Sequence, residues 1–193
     1  MIKAQIELYA KLKSSNPEVK LFIVGDGPLR NDLILFPESL NLHVFNVWDN
    51  SAAKFSSLFD VYFLGLIDNP YRLYRMSKCL ILTSQYESLP NVIIEGLICD
   101  STILAADCRF GPREILSSET DYQKRFDSRF GLNDCGVLLP VPIEIEDIAL
   151  WSDYLIKVFN NKLDLTYKES LSHRVENYSK ENVLRAWISL IEN

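Results

Sequence analysis

The chain has 193 residues, of which 48% are hydrophobic, and a formal net charge of −6 at pH 7. This length and composition predict a single soluble domain with one substantial core and room for a helical appendage. No run of lysines or arginines is present. The acidic balance therefore argues against a nucleic-acid-binding face and against strong electrostatic attachment to an anionic membrane.

The cysteines and the apolar segments exclude further classes of protein. Cys79, Cys99, Cys108 and Cys135 form no CxxC pair and have no histidine at metal-ligand spacing, so we expect reduced core thiols and no metal site. No segment approaches the roughly 20 apolar residues of a membrane span. The opening "MIKAQIELYAKLKSSNPEVK" lacks the apolar block of a signal peptide. We expect a cytoplasmic protein, and a peripheral position at the inner membrane face stays open.

Helical and strand-like segments alternate along the chain. An amphipathic helix comes first, with apolar Ile2, Ile6, Tyr9 and Leu12. The strand-like segments are "VKLFIV", "DVYFLG", "KCLILTS", "STILAADC" and "CGVLLPV", and helices are predicted from about Pro28, Pro70, Pro90 and Pro112. Apolar strands that alternate with helices predict a doubly wound α/β domain, with a parallel sheet covered on both faces.

Two segments fit this alternation less well. The segment from Phe36 to Phe59 is longer than a typical connection, and it contains a predicted strand over residues 43–47. His43 lacks neighbours that could complete a site, so we interpret it as a strand or loop residue. The polar stretch "SSETDYQKRFDSRFGLND" is either a loop that contacts an acceptor at the open edge or a disordered excursion.

Strand signals end near Glu144, and two or three helices follow. The last of them has an apolar stripe of Val183, Trp187, Leu190 and Ile191, which we expect to pack on another part of the protein. We therefore assign residues 1–143 to the α/β domain and residues 144–193 to C-terminal helices that pack on the same domain.

Four turns lie at the carboxyl ends of the predicted strands, where open parallel sheets bind ligands. They are "GDGPLR", "LGLIDNPYR", "SQYESLPN" and "DCRFGPRE". The helix that begins at Pro90 offers N–H groups without internal partners and a partial positive charge, both of which suit a phosphate.

Two carboxylates flank this helix start. With Pro90 at the first helical position, Asn91 and Glu95 lie one turn apart on one face, while Glu87 lies in the turn ahead. A diphosphate at the helix start would have one carboxylate on each side, each able to accept hydrogen bonds from hydroxyls, which suggests a sugar and a ribose. Two plainer interpretations stay open: Glu87 as an ordinary turn residue, and Glu95 as the structural partner of a backbone or lysine group.

These motifs resemble those of a known family. The chain is similar to the C-terminal, donor-binding domain of family 4 glycosyltransferases, which have the GT-B fold with Rossmann-like lobes. The similarity is carried in order by "VGDGPLR", "VYFLG", "NPYRLYRMSKCLILTSQYESLPNVIIEGL" and "ADCRFGPREIL", together with the seven residues between Glu87 and Glu95. A weaker similarity follows in "YSKENVLRAW".

The resemblance implies a retaining transfer of a sugar from a nucleotide diphosphate to a glycan or lipid-linked acceptor, as in surface polysaccharide biosynthesis. It implies no metal and no other cofactor, with the nucleotide-diphosphate sugar as donor substrate. Residues 1–143 would then form the Rossmann-like, nucleotide-sugar donor-binding domain. The partners would be the nucleotide-sugar and the acceptor, with no nucleic acid and no transmembrane segment.

By the same resemblance, Glu87 is the candidate catalytic residue, on the hydroxyls of the donor sugar, and Glu95 would bind the ribose. The other implied donor contacts are backbone groups of Pro90, Asn91 and Val92 at the diphosphate, the backbone of Gly65, Leu66 and Ile67 at the base, Arg72 at the phosphates, and Gly25. Arg72 is equally well explained as a surface residue. Arg30 and Arg113 have two interpretations, phosphate contact or salt bridging. Asp26, Gly27 and Asp107 are interpreted as residues that shape turns.

The resemblance also has departures. Relatives carry an acceptor domain ahead of this region, and a first strand and loop with an Arg and a Lys for the diphosphate, whereas this chain begins after that point. Ser88 and Asp100 stand where the family usually has glycine. We therefore expect an incomplete enzyme that needs a separate acceptor-domain chain. The alternative is a non-catalytic, truncated or degenerate lobe that binds a partner protein, so enzymatic activity stays open.

Overall fold

The structure, a computed structural model, describes residues 2–49, 57–117, 131–133, 135–163 and 171–192. The chain forms two compact units, each with its own sheet. The first comprises Met1–Pro70 and Ile143–Asn160, and the second Tyr71–Pro142 and Asn161–Asn193. The assignment of residues 1–143 to one donor-binding domain stays a prediction.

The order of elements follows the predicted alternation of helices and strands. The chain begins with α1 (Ile2–Ser15), β1 (Leu21–Ile23), α2 (Arg30–Leu35), a 3₁₀ turn (Pro37–Leu40), β2 (Val44–Asn46), β3 (Val61–Phe63), α3 (Tyr71–Met76) and β4 (Cys79–Leu82). It continues with α4 (Asn91–Ile98), β5 (Thr102–Ala106), α5 (Pro112–Leu116), β6 (Gly131–Asn133), β7 (Gly136–Leu139), α6 (Ile145–Phe159), α7 (Leu171–Glu176) and α8 (Lys180–Glu192).

In the first unit, β1, β3 and β2 form a parallel sheet in that order. Val61 of β3 is in register with Leu21 on one side and Val44 on the other, so the three strands end level at one edge. The apolar side of α1 is buried as predicted, and its Ile6 and Tyr9 share a core cluster with Val61. The predicted strand over residues 43–47 is confirmed as β2.

A buried carboxylate ties this unit together. Asp60, just before β3, has 3% of its surface exposed and accepts hydrogen bonds from the Lys13 ammonium and from the His43 backbone N–H at 2.8 Å. The Lys20 ammonium lies 3.9 Å from the same carboxylate. Burial acts to raise the pKa of Asp60, but the Lys13 hydrogen bond, the His43 N–H and the two lysine charges outweigh it and lower the pKa. His43 takes part through its backbone, and it lies in the loop just before β2.

In the second unit the sheet order is β4, β5, β7, β6. β4, β5 and β7 are parallel, whereas β6 pairs antiparallel with β7. The polar stretch that the sequence suggested as a loop or a disordered excursion thus contains strand β6 at residues 131–133, and residues 118–130 and 134 lie outside the described residues. All five residues of β5 are buried, as expected for a central strand between helices.

The end of α4 shows how the chain tolerates an aspartate where the family usually has glycine. The Asp100 N–H donates to the Leu97 carbonyl and the Ser101 N–H to the Gly96 carbonyl, both at 3.0 Å. This pair of bonds defines a Schellman cap, which requires a left-handed residue after the helix, and Asp100 has φ 58°. The cap is formed, with an L-residue in a conformation that favours glycine.

We expect Asp100→Gly to stabilise the protein by about 0.5 kcal/mol, because relief of the left-handed strain exceeds the entropy that glycine adds to the unfolded chain. Urea denaturation measures the change in the free energy of unfolding. Asp100→Ala is the matched control, since it also removes the carboxylate but keeps the Cβ, and it should destabilise. A stabilisation by both variants would show that the carboxylate, not the backbone, carries the strain.

The last helix departs from the prediction. Val183, Trp187, Leu190 and Ile191 of α8 were expected to be packed, yet 42%, 62%, 72% and 79% of their respective surfaces are exposed. An apolar stripe shows that a helix has an amphipathic face, but it does not show that the same chain covers that face.

The other structural predictions concern cysteines, metals and membranes. All four cysteines are free thiols, of which Cys99, Cys108 and Cys135 are buried and Cys79 is half-buried. Burial raises the pKa of Cys79 to about 12, which suits an inert core thiol. Among the described residues, no group of three or more potential metal ligands is found. No helix in those same parts of the chain has both the length and the apolarity needed to cross a membrane.

Candidate functional site

The best-defined feature at the strand ends is the start of α4, after the turn that leaves β4. The predicted position of Pro90 at the first helical residue is wrong by one: Pro90 is the N-cap, with extended backbone at φ −75° and ψ 94°, and Asn91 is the first helical residue. The Pro90 carbonyl accepts from the Ile93 N–H at 2.9 Å. A proline has no N–H to offer, so Asn91 and Val92 are the candidate N–H donors.

The N-cap residue, Pro90, provides no side-chain capping hydrogen bond at this helix start. The first N–H groups of an α-helix have no intrahelical partner, and the helix dipole places partial positive charge there. Asn91 is exposed and Val92 is half-buried, so these groups lie close to solvent. This arrangement suits an anionic group at the end of α4.

Glu95 lies one turn inside the same helix, about 6 Å along the axis from Asn91 at 1.5 Å per residue. It is half-buried, and its Oε2 accepts a hydrogen bond from the Tyr74 hydroxyl at 3.0 Å. Among the described residues no cation pairs with Glu95, so the alternative of a lysine partner is not what the structure shows. The carboxylate is held by a neutral hydrogen-bond donor, the Tyr74 hydroxyl.

Glu87 lies in the turn ahead of α4 and is half-buried. Its charge acts on the thiol of Cys108, which follows β5. Burial is the larger cause of the raised pKa of Cys108, and the Glu87 charge adds to it. The turn after β4 thus lies near the turn after β5.

Gly111 brings these two turns into direct contact. It is the N-cap of α5, with φ 82° and ψ −74°, a region that L-residues rarely adopt. A Cβ at this position would lie 2.6 Å from the Ser88 carbonyl oxygen and 2.5 Å from Cδ of Pro90. Only glycine therefore allows the backbone of the β5 turn to approach the cap of α4 so closely.

The contact between Asp107 and Arg113 decides between the two interpretations of Arg113, phosphate contact and salt bridging. Asp107 is buried, and its carboxylate accepts from Nε of Arg113 at 2.9 Å and from Nη2 of the same side chain. Arg113 is thus a salt-bridging residue, and Asp107 shapes the turn as predicted. Such a bidentate pair fixes the path of the chain from β5 into α5.

In the first unit, Gly25 and Gly65 lie level at the sheet edge, each two residues after its strand. The Gly25 N–H donates to the Gly65 carbonyl at 2.8 Å, so it is already engaged. Gly65 has φ 64°, and a Cβ there would lie 3.1 Å from Val47 and 3.3 Å from Trp48. Leu66 is exposed and Ile67 half-buried.

A cavity of about 280 Å³ adjoins Gly25, and its lining includes Trp48, Phe63 and Leu33. The Arg30 guanidinium lies over the Trp48 ring, 4.8 Å from its centroid, and donates to Asp26 at 2.9 Å. Asp26 also accepts from the Gly27 N–H at 2.7 Å. Arg30 is therefore a salt-bridging residue here, and Asp26 and Gly27 shape the turn as predicted.

The structure thus groups the predicted site residues in two sets, one in each unit. Glu87, Pro90, Asn91, Val92 and Glu95 surround the start of α4 in the second unit. Gly25, Gly65, Leu66 and Ile67 lie on the sheet-edge loops of the first unit. Arg72 is exposed on α3, in the second unit. Their roles toward a ligand stay predictions.

The sequence model of the family described as "Glycosyl transferases group 1" matches residues 2–181. The chain belongs to this family. The match spans both units and all of the turns described above, so the resemblance inferred from the motifs is confirmed.

Individual relatives agree with this assignment. An uncharacterized glycosyltransferase of Methanocaldococcus jannaschii is 29% identical over 200 residues, which cover 97% of this chain and 45% of that protein. The N-acetylgalactosamine-N,N'-diacetylbacillosaminyl-diphospho-undecaprenol 4-alpha-N-acetylgalactosaminyltransferase of Campylobacter jejuni is 26% identical over 180 residues, 93% of this chain and 40% of that enzyme. This glycosyltransferase-family chain thus spans less than half the length of these curated relatives.

Solved structures confirm the fold. A variant of TarM from S. aureus, crystallised with fondaparinux, alpha-GlcNAc-glycerol and UDP, superposes with a TM-score of 0.67 at 22% identity. The match covers 100% of this chain and 33% of that one. The predicted α/β, Rossmann-like GT-B lobe is confirmed at the level of fold.

Sequence reasoning missed Tyr74 and Gly111. Tyr74 lies 21 residues from Glu95 along the chain. A tyrosine in a helix is usually a packing residue, and no local spacing predicts such a contact. Gly111 did carry a signal, since Gly-Pro marks a turn before a helix, but the contact with Ser88 depends on how neighbouring strands are ordered.

Proposed function

We propose that this chain is the donor-binding half of a retaining glycosyltransferase, which holds a nucleotide-diphosphate sugar for transfer to a glycan or lipid-linked acceptor. The observation that carries the proposal is the start of α4, where Pro90 provides no side-chain cap, with the Glu95 carboxylate held one turn behind it. The amide groups suit the diphosphate and the carboxylate suits a pair of ribose hydroxyls. Relatives with sugar-transfer names and a fold relative crystallised with UDP support it.

Each residue then has a distinct role. Glu95 accepts hydrogen bonds from the ribose and Glu87 from the hydroxyls of the donor sugar. The N–H groups of Asn91 and Val92 face the diphosphate, and Arg72 supplies a guanidinium. For the residues of the first unit, a role of the backbone of residues 65–67 at the base and of Gly25 at the donor stays what the family resemblance implies.

The chemistry needs charge stabilisation more than it needs a nucleophile. When the bond between the anomeric carbon and the diphosphate oxygen breaks, negative charge builds up on the leaving diphosphate. Oriented amides and a guanidinium stabilise that charge most in the transition state, which lowers the barrier. The leaving phosphate accepts the proton of the acceptor hydroxyl, and the hydroxyl oxygen bonds to the anomeric carbon on the face that the diphosphate leaves, so the configuration is retained. No metal or other cofactor takes part in this proposal.

The acceptor and the location follow from the same proposal. A lipid-linked acceptor would place the protein in the cytoplasm at the inner membrane face. The acceptor site itself would belong to a separate domain or chain, which the longer relatives have room to contain.

Calorimetric titration with UDP tests the donor site. We expect Glu95→Ala to weaken UDP binding about 10- to 100-fold, the effect of losing hydrogen bonds to a charged acceptor. Glu176→Ala is the matched control, because Glu176 is an exposed glutamate on α7 of the same unit. Equal affinities of the wild type and Glu95→Ala, or no binding by either, would contradict the proposal.

The alternative is a non-catalytic lobe that binds a partner protein. One observation favours it: α8 exposes Trp187 and Ile191, which an isolated domain would normally cover. The UDP titration separates the two functions, since a partner-binding lobe without a donor site would show no loss of affinity in Glu95→Ala.

A further inference from the structure

The contact between Tyr74 and Glu95 joins two helices of the second unit, α3 and α4. The Tyr74 hydroxyl donates to Oε2 of Glu95 at 3.0 Å. An ionised carboxylate only accepts hydrogen bonds, so the phenol must be the donor. Burial, then the hydrogen bond to Glu95 and the Glu95 charge, raise the pKa of Tyr74, and the phenol therefore keeps its proton at neutral pH.

Tyr74 is itself held in place. Its ring meets that of Tyr71 edge-on, with centroids 6.2 Å apart and an interplanar angle of 84°. Its carbonyl accepts a hydrogen bond from the Ser101 hydroxyl at 3.1 Å, which links α3 to the residue before β5. The Tyr74 side chain and backbone are therefore both held by neighbours, and its hydroxyl in turn holds one oxygen of the Glu95 carboxylate.

The chemical identity of the group that donates this hydrogen bond to Glu95 matters. A lysine at this position would neutralise Glu95 and weaken its attraction for hydroxyl protons. A phenol donates a hydrogen bond to the half-buried carboxylate without pairing it with a positive charge. Each carboxylate oxygen has about two acceptor sites, so the hydrogen bond from Tyr74 occupies one of about four, and no other described residue donates to this carboxylate.

We propose that Tyr74 is a positioning residue, which holds the Glu95 carboxylate in the orientation that accepts from both hydroxyls of a ribose. This inference rests on the proposed donor site and adds a residue to it. A glutamate side chain on a helix otherwise samples several rotamers, and ordering it at the moment of binding costs affinity. Tyr74 orders it in advance.

The test compares UDP with 2′,3′-dideoxy-UDP, which lacks both ribose hydroxyls. Tyr74→Phe removes only the hydroxyl, and we expect it to weaken UDP binding about 3- to 10-fold. Binding of the dideoxy nucleotide should not change, because it offers Glu95 no hydroxyl. Adding Tyr74→Phe to Glu95→Ala should cause no further loss, since Tyr74 acts through Glu95.

Tyr178→Phe is the matched control. The Tyr178 hydroxyl donates to the Glu114 carbonyl at 3.2 Å in the same unit, so this variant also loses one phenol hydrogen bond. It should leave the preference for UDP over the dideoxy nucleotide as in the wild type. Urea denaturation of each variant keeps stability separate from binding.

Three results would overturn the inference: an equal loss for both nucleotides in Tyr74→Phe, an unchanged or tighter affinity for UDP, or a further loss when the variant is combined with Glu95→Ala. If Glu95→Ala alone lowers UDP affinity selectively while Tyr74→Phe does not, the donor site stands and the role of Tyr74 is wrong. If the wild type itself does not distinguish the two nucleotides, the ribose role of Glu95 fails, and the role of Tyr74 fails with it.

Discussion

Gly111→Ala is expected to destabilise the protein by about 2–5 kcal/mol, since a left-handed strain and a steric overlap both apply. The added Cβ would lie 2.6 Å from the Ser88 carbonyl oxygen, a backbone atom that cannot rotate away. Either the turn after β5 or the turn before α4 must move. Urea denaturation monitored by circular dichroism measures the loss in the free energy of unfolding.

Gly27→Ala is the matched control for this effect. It is the same substitution, also in a strand-to-helix turn, but a Cβ at Gly27 would have no atom within 4 Å. We expect a change within about 0.5 kcal/mol, as for most substitutions at open sites. If Gly111→Ala were equally mild, the close approach of the two turns would be wrong.

Gly111→Ala should also affect the proposed donor site. Because Gly111 contacts Ser88 and Pro90, relaxation of the clash would shift the cap of α4. We therefore expect folded Gly111→Ala to bind UDP more weakly, in addition to its lower stability. If Gly111→Ala lowers stability but leaves UDP affinity unchanged, the turn after β5 moves to relieve the clash and the cap of α4 stays in place.

Asp60→Asn is expected to cost about 2–3 kcal/mol, near the lower end for breaking a buried ion pair, because Lys13 and Lys20 keep some access to water. The amide has nearly the shape of the carboxylate but lacks its charge, so Lys13 loses its counter-ion. It also presents one oxygen where the carboxylate presents two, and the wild-type side chain uses Oδ1 for Lys13 and Oδ2 for the His43 N–H. Urea denaturation at pH 7 measures the loss.

The effect should depend on pH in a defined direction. The pKa of Asp60 is lowered in the folded protein, so the unfolded chain binds the proton more readily. The stabilisation is fully present above the unfolded pKa of about 3.9 and is lost as the pH falls through the lower, folded value. The difference between wild type and Asp60→Asn should therefore be largest at neutral pH and shrink below about pH 4.

Asp68→Asn serves as the control, because Asp68 is an exposed aspartate of the same unit. Its stability should follow that of the wild type at every pH. A difference between wild type and Asp60→Asn that stayed constant into acid would mean that shape, rather than charge, explains the loss.

Features that depend on neighbours along the chain could be predicted from the sequence. Strand and helix order follows from local apolar periodicity, and for the same reason β2 and the buried side of α1 were predicted correctly. The spacing of Asn91 and Glu95 on one face is a property of the helix alone. It therefore holds although Pro90 is the N-cap and not the first helical residue. The family motifs are local too.

Contacts between distant parts of each unit became known only from the folded structure. The partner of Glu95 is Tyr74, the neighbour of Gly111 is Ser88, and the partner of Asp60 is Lys13, and none of these pairs has a spacing that a helix or turn would enforce. Strand β6 is antiparallel, and α8 leaves its apolar face exposed. Hydrophobic periodicity shows which face of a helix or strand is apolar. The partner of a given side chain depends on which strands and helices lie side by side, and hydrogen bonds between strands that are distant in sequence determine that arrangement.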